Sequence, residues 1–385
     1  MEKRNNWMRI ALRVASYILV AALASFVTFV AFGNSKLAEL ERVIVSRFVG
    51  EVDTTAMEDA AAEAMVSALG DRWSYYISAQ DYQAYQERKT NSYVGIGITI
   101  MKREDGTGFD ILSVEEGGSA QGAGVLPGDI LIEAEGQSVA DMDSDGPAEI
   151  IKGKAGTRVE IAVLRNGERL EFRLTRQTIE TVVTTGQLLE DGIGYVKIRN
   201  FNNHCAERTL EVVEDLLEQG ATALVFDVRD NPGGYVTELN TILDYLLPAG
   251  DLFRSVSSNG TEEVDTSDAA CLELPMAVLV NGESYSAAEF FAAALQEYEW
   301  AVVVGEPTCG KGYFQNTFQF SDGSAVGLSV GQYYTPKGVS LAEVGGLTPD
   351  VPCPVDTQTA ALIYSGLLPP LEDPQVQAAI AALKE

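Results

Sequence analysis

Two side chains stand out as able to do covalent chemistry: a serine at the end of an apolar run and a lysine set between glycines. Ser286 follows Ala277-Val278-Leu279-Val280 and the turn Asn281-Gly282-Glu283-Ser284-Tyr285, and it precedes a helix-forming stretch. A strand that turns into a helix at that point exposes the hydroxyl at the strand end. The unpaired N–H groups of the helix's first turn can then stabilise an oxyanion. The same position also suits a helix N-cap, which Ser286 or Ser284 could fill, and position alone does not separate the two roles.

A nucleophilic serine needs a base. The chain holds one histidine, His204, in the polar stretch Asn202-Asn203-His204-Cys205. A Ser-His-Asp triad would have to use it, and no G-x-S-x-G elbow supports that arrangement. Zinc chemistry of the H-E-x-x-H kind needs two histidines and is excluded. Lys311, in Gly305-Glu306-Pro307-Thr308-Cys309-Gly310-Lys311-Gly312, is the other candidate. Burial disfavours an ammonium, so a desolvated lysine can accept a serine proton, whereas a solvated one in a glycine loop cannot. Gly305-x4-Gly310-Lys311 also approaches the P-loop pattern. Gly312 stands where that pattern needs Ser or Thr, and Tyr313-Phe314-Gln315-Asn316-Thr317-Phe318 reads as a strand where a helix should follow.

Composition narrows the setting. The formal net charge of -29 makes a phosphate backbone an improbable partner, so nucleic acid is not expected. Residues 14–32 carry no charge, and Lys3, Arg4, Arg9 and Arg13 lie only on their N-terminal side. A stretch of that length approaches what a membrane-spanning helix needs. The charge asymmetry predicts a cytoplasmic N-terminus and a single-pass anchor in the cell membrane that places later residues outside the cytoplasm; a cleaved signal peptide is the alternative. Cys205, Cys271, Cys309 and Cys353 form no CxxC pair, so no metal or cofactor is expected, and free thiols and disulfides both remain open.

The elements that must position these residues follow in order. Apolar positions at three- and four-residue spacing predict helices over residues 34–90. After Asn91 the pattern turns to short strands, among them residues 158–165 and 168–175 joined by Asn166-Gly167, a hairpin signal. Beyond Gly192 strands alternate with helices: strands at 223–228, 276–280 and 301–305, helices at 236–247 and 287–298. Such alternation predicts an α/β core with parallel pairing.

Several ordered motifs then resemble the carboxyl-terminal processing (tail-specific) serine peptidases, the S41 type with a PDZ domain. Leu69-Gly70-Asp71-Arg72-Trp73-Ser74-Tyr75-Tyr76 is similar to the family's LGDxxSxY segment, and Tyr93-Val94-Gly95-Ile96-Gly97 and Gly124-Val125-Leu126-Pro127-Gly128-Asp129 to its PDZ signatures. Asp227-Val228-Arg229-Asp230-Asn231-Pro232-Gly233-Gly234 resembles DxRxNPGG. Ser284-Tyr285-Ser286-Ala287-Ala288-Glu289 resembles SASASE, and Gly310-Lys311-Gly312-Tyr313-Phe314-Gln315 resembles GKGxxQ.

The resemblance implies a ClpP/crotonase-like α/β protease core with a β-rich subdomain, an inserted β-rich PDZ domain, and an N-terminal helical segment after one transmembrane helix. The divisions are 1–33 (stub and anchor), 34–92 (helical, dimerising), 93–176 (PDZ) and 177–385 (protease). It implies Ser286 as nucleophile, Lys311 as base and Gln315 as the residue orienting it. Gly233 or Gly234 and Ala287 become the oxyanion donors. Tyr93, Val94, Gly95, Ile96, Gly97 and Ile98 become the peptide-binding segment for free C-terminal tails, with Leu174-Thr175-Arg176 as hinge. The expected activity is endopeptidase cleavage of exported or membrane proteins, by a homo-oligomer, a dimer. A silent PDZ adaptor and a P-loop nucleotide-binding protein are the alternatives.

Overall fold

The structure is a computed structural model that describes residues 16, 17, 20 and 35–384. The anchor expected over residues 14–32 lies almost wholly outside these. Among the described residues no helix is long and apolar enough to cross a membrane. The chain divides into two units, residues 1–76 and 77–385.

The first unit holds α1 (Lys36–Arg47) and α2 (Thr54–Ser67), capped by Ser35 and Asp53, whose side chains accept from Ala38 N–H and Ala56 N–H. Neither helix buries a residue. Their apolar stripes, including Leu37, Leu40, Ile44, Met57, Ala61 and Met65, line an open groove. The predicted helical run is interrupted beyond α2, where β1 (Tyr75–Ile77) is extended.

The second unit opens with α3 (Tyr82–Thr90), β2 (Ser92–Gly95), β3 (Ile98–Lys102) and β4 (Phe109–Val114), followed by α4 (Ser119–Ala123), β5 (Ile130–Ala134), β6 (Gln137–Ser138) and α5 (Gly146–Ile151). The hairpin β7 (Arg158–Arg165) and β8 (Glu168–Thr175) then turns at Asn166-Gly167, both with positive φ, as its sequence predicts. The sheet order β3-β4-β5-β7-β8 encloses Phe109, Leu131, Val159 and Val163, and β3 and β8 are its two edges.

Both chain crossings between this domain and the rest of the unit run side by side, because β2 pairs antiparallel with β9 (Gln177–Glu180). The expected hinge at Leu174-Thr175-Arg176 is instead fixed within the domain. Leu174 is in its core, and the Arg176 guanidinium donates to the carbonyls of Ile150 and Ile151 at 2.9 and 2.7 Å.

The remaining residues build an α/β layer: β10 (Thr184–Leu188), β11 (Ile193–Ile198), α6 (Cys205–Glu218), β12 (Ala223–Asp227) and α7 (Val236–Leu246). Then come β13 (Gly250–Ser257), β14 (Glu262–Ser267), β15 (Met276–Val280), α8 (Ala287–Glu297), β16 (Ala301–Gly305), β17 (Tyr313–Gln319) and β18 (Ala325–Tyr334). The chain closes with α9 (Leu341–Val344), β19 (Val351–Pro352), α10 (Thr357–Tyr364) and α11 (Pro374–Ala382). The central sheet runs β10-β11-β12-β15-β16-β19, parallel except at the β10 edge. Its inner strands β12 and β15 are buried throughout, matching their uninterrupted apolar runs. One face packs on α6, α7 and α8, the other on Val376 and Ala379 of α11. A second sheet pairs β17 with β18, β18 with β13 and β13 with β14.

Candidate active site

The carboxyl ends of the neighbouring parallel strands β12, β15 and β16 lie on one edge of the sheet, where ligand sites of α/β proteins form. Their three loops are laced together. The Ser284 hydroxyl donates to the Val228 carbonyl at 2.7 Å, and Tyr285 N–H donates to the Asn231 carbonyl at 3.1 Å. Asn281 and Asp230 exchange two bonds of 3.0 Å: Asp230 N–H to Asn281 Oδ1, and Asn281 Nδ2 to Asp230 Oδ1. Cys309 N–H donates to the Ser284 carbonyl at 3.2 Å, which joins the third loop.

Ser286 is half-buried at the start of α8 with φ 58° and ψ −126°, a conformation rare for any residue but glycine. Strain of this kind, at a strand-to-helix turn, fixes the direction of a side chain. Gly233 rests directly on it: a Cβ added there would fall 2.8 Å from Ala287 N, Ser286 Cβ and Tyr285 O, so only glycine fits. The Gly233 N–H donates to Asn231 Oδ1 at 2.8 Å, while the buried Asn231 is itself held by its Nδ2 on the Ile198 carbonyl. The N–H groups of Ala287 and Gly234 donate to no acceptor among the described residues. Of the expected oxyanion donors, these two are therefore left available, and Gly233 serves close packing.

Lys311 is half-buried. Its ammonium lies 5.6 Å from the centre of the Tyr285 ring, and its backbone N–H donates to Glu289 Oε2 at 2.8 Å. The same carboxylate oxygen accepts Ser286 N–H at 2.9 Å. The structure thus brings the Lys311 loop against the turn that carries Ser286. Gln315, in β17, donates its amide to the Tyr313 carbonyl and the Ser329 hydroxyl, both at 3.1 Å. His204 is exposed at the start of α6, and its ring nitrogen faces Glu207 of the same helix at 3.5 Å.

Beneath the glycine loop lies a buried ionic network. Asp227 accepts from Arg229 Nε and Nη2 at 2.9 and 2.7 Å and from the Tyr195 hydroxyl at 2.5 Å. Arg229 also meets Asp373 at 2.8 Å and Gln375 Oε1 at 2.8 Å, which ties α11 to the loop. Burial alone would push the Asp227 carboxyl up; the charge and hydrogen bonds of Arg229 override it and hold it at about 2. Because that is below the unfolded value near ~3.9, its contribution to stability is complete above about pH 4 and is lost as pH falls towards 2.

All four cysteines are free thiols. Cys205 is fully buried, and burial pushes its thiol up to about 12. Iodoacetamide at pH 8 should therefore label Cys271 in the native protein while sparing Cys205 until the chain is unfolded; peptide mass mapping reads this directly. No cluster of metal-ligating side chains occurs among the described residues.

Three positioning residues were not recognised from sequence: Asn231, Ser284 and Glu289. A signal did exist for the last. Glu289 stands three residues after Ser286, the spacing of a capping box, in a helix whose residues 287–295 are all buried.

In the other domain the six expected peptide-binding residues separate. Tyr93, Val94 and Gly95 are engaged in the β2–β9 ribbon, and Ile96 is buried with its carbonyl accepting Ala120 N–H at 3.0 Å. Gly97 (φ +80°) and Ile98 begin the β3 edge. Ile98 pairs with Val114, and Glu115 N–H donates to the Gly97 carbonyl at 2.9 Å, so this is a non-hydrogen-bonded pair and the Ile98 N–H faces outward.

A parallel α/β core with a strained serine at a strand end, preceded by a small antiparallel domain with an open edge, defines a class; comparison defines the family. Residues 192–353 match the family model for peptidase family S41, and residues 94–175 that for the PDZ domain. The chain is 31% identical over 309 residues to carboxyl-terminal-processing peptidase 2, chloroplastic, of Arabidopsis thaliana, covering 76% of this chain and 60% of that protein. It is 30% identical over 319 residues to the carboxy-terminal processing protease CtpA of Bacillus subtilis, covering 81% and 68%. The carboxyl-terminal-processing protease of Synechocystis is 30% identical over 297 residues, covering 75% and 69%. Among solved structures, the photosystem II D1 C-terminal processing protease aligns over 84% of this chain and 88% of its own at 27% identity, with a TM-score of 0.47. The chain belongs to the S41 family of carboxyl-terminal processing serine peptidases and carries a PDZ domain.

Proposed function

We propose that this protein is a serine endopeptidase that selects substrates by their C-terminal tails and cleaves them with a Ser286–Lys311 dyad. The observation that carries the reading is the meeting of the two loops: Lys311 is held against the turn of a strained Ser286, whereas His204 faces its own helix. The uncharged Lys311 amine takes the Ser286 proton as the hydroxyl oxygen attacks a peptide carbonyl. Ala287 N–H and Gly234 N–H receive the oxyanion. Collapse breaks the C–N bond, the Lys311 ammonium returns the proton to the leaving amine, and water then hydrolyses the Ser286 ester by the same route in reverse. Gln315 supports the Lys311 side through β17 and Ser329.

Tail selection rests on β3. Its free edge can accept an extended peptide as an added strand, and the outward N–H of Ile98 suits a terminal carboxylate. A peptide with a free carboxylate should be cleaved at least about 10-fold faster than its C-terminal amide. Gly97→Val, which places a side chain at φ +80° against Gly118 Cα, should abolish the difference. Equal rates for the two peptides in the wild type contradict tail selection.

Gly233→Ala tests the packing behind the serine. With a methyl forced against Ser286 and Ala287 N, cleavage should fall by about 10²-fold or more, since misplacing one oxyanion donor carries that effect. Unchanged kcat removes Gly233 from the site.

The same reading places the catalytic unit outside the cytoplasm on a single-pass anchor at residues 14–32, supported by the uncharged stretch and the cations that precede it. It has the exposed apolar stripes of α1 and α2 form a homodimer surface. Carbonate extraction of membranes and sedimentation of chains with and without residues 34–67 test these two points.

A further inference from the structure

One buried carboxylate touches both halves of the proposed dyad. Glu289 is fully buried, in a helix otherwise apolar along its first nine residues. Its Oε2 accepts Ser286 N–H at 2.9 Å and Lys311 N–H at 2.8 Å. Its Oε1 accepts the Thr308 hydroxyl at 2.5 Å and Gly310 N–H at 2.7 Å. Thr308 Oγ1 in turn accepts Leu347 N–H at 2.7 Å, so the turn behind the lysine loop is included.

An ordinary capping box uses the glutamate only to bond the N-cap N–H, at a surface where the rest of the carboxylate meets water. Here the carboxylate is out of water, and burying it would be strongly unfavourable without full satisfaction. Four donors supply that, and three of them come from the Lys311 loop. The four bonds act as a fixed spacer. Ser286 and Lys311 sit on different elements, and their backbones share a single oxygen atom, so their separation cannot vary without breaking a charge-assisted bond. Proton transfer between side chains demands that constancy.

We propose that Glu289 is a positioning residue that sets the spacing of Ser286 and Lys311, with Thr308 as its second anchor. This rests on the dyad reading above. Glu289→Ala removes both acceptor oxygens and with them all four bonds, leaves Ser286 N–H, Lys311 N–H and Gly310 N–H unpaired, and should lower kcat by about 10³-fold with KM within about threefold. Glu289→Gln presents one oxygen and one NH₂. The oxygen can keep Ser286 and Lys311 while the Thr308 hydroxyl rotates to accept, so only Gly310 N–H is lost and the fall should be about 10-fold. Thr308→Val deletes one anchor at nearly constant volume and should also cost about 10-fold in kcat.

The experiment measures kcat and KM of the full chain on one tailed peptide for wild type, Ser286→Ala and these three variants, with a thermal melt of each. Falls in kcat in the order Ala, then Gln and Val, at unchanged KM in folded protein, support the spacer. If Glu289→Ala does not fold, the Gln and Val variants carry the test. Wild-type kcat in those two, or a loss confined to KM, overturns it while Ser286→Ala stays inactive. Wild-type cleavage that Ser286→Ala retains overturns the dyad, and the spacer with it.

Discussion

Replacing Ser286 by alanine lowers cleavage of a tailed peptide by about 10⁴-fold or more, and replacing Lys311 by alanine does nearly as much, because nucleophile and base act as one unit. The two losses should not add: the double variant should resemble either single one. The structure gives the reason for choosing these residues over other polar groups nearby. Ser284 is fully buried, with its hydroxyl donating to the Val228 carbonyl and accepting Asn281 N–H at 3.1 Å, so it is a fastener of the loop. Ser284→Ala should weaken the site through geometry, in a graded way. His204→Ala should leave kcat unchanged within about twofold, and a large loss there would point back to a histidine base. Progress curves of peptide hydrolysis at saturating substrate distinguish these cases.

Arg229→Met should destabilise the fold by about 3–5 kcal/mol, because it strips the cation from a site where Asp227 and Asp373 are both almost fully buried. Breaking one partner of a buried network costs more than the network contributes, since the remaining charges stay out of water. Asp227 loses the guanidinium that holds it near 2, so its carboxyl must rise. With that depressed value gone, the variant should lack the fall in stability that this carboxyl gives the wild type below about pH 4, and because acid now neutralises an unpaired buried charge the destabilisation should be smaller at pH 4 than at pH 7. Urea unfolding at pH 7 and pH 4 measures both effects, and a change under about 1 kcal/mol would show that the network is not needed. Activity should fall as well, because Arg229 anchors the loop that presents Asn231, Gly233 and Gly234.

Much of this architecture is legible in the residues because the signals are local. The runs that form β12 and β15 are uninterruptedly apolar, as strands covered on both faces must be, and Asn166-Gly167 closes its hairpin as its tolerance for positive φ predicts. Ser286 and Lys311 stand as candidates on a strand-end serine, a glycine-flanked lysine and a chain with one histidine, and it is the resemblance of the ordered motifs that gives them their roles. What could not be read were relations between distant segments. The bond from Asn281 to Asp230, the meeting of Arg229 with Asp373, and the commitment of Tyr93 to Gly95 in a ribbon with β9 all join residues far apart in sequence, which no periodicity encodes. The misplaced hinge has the same origin. Leu174-Thr175-Arg176 looks like a junction because the strand pattern ends there, yet the Arg176 guanidinium is pinned to carbonyls of residues 150 and 151.

The fold also shows how one sheet edge assembles chemistry from three loops. Each loop alone has an ordinary role: a glycine turn, a helix cap, a strand connection. Their hydrogen bonds to one another, above all those of Ser284, Asn231 and Glu289, convert the three into a single rigid surface around Ser286.

The most direct measurement is the mass of the covalent intermediate. The protein is mixed with an excess of tailed peptide, quenched in acid within the first turnovers, digested and mapped. An acyl adduct on the fragment containing Ser284-Tyr285-Ser286, assigned by fragmentation to the hydroxyl at 286 and missing from Lys311→Ala, is the predicted result. Cleavage that proceeds with the adduct on another residue, or that persists in Ser286→Ala, would contradict it.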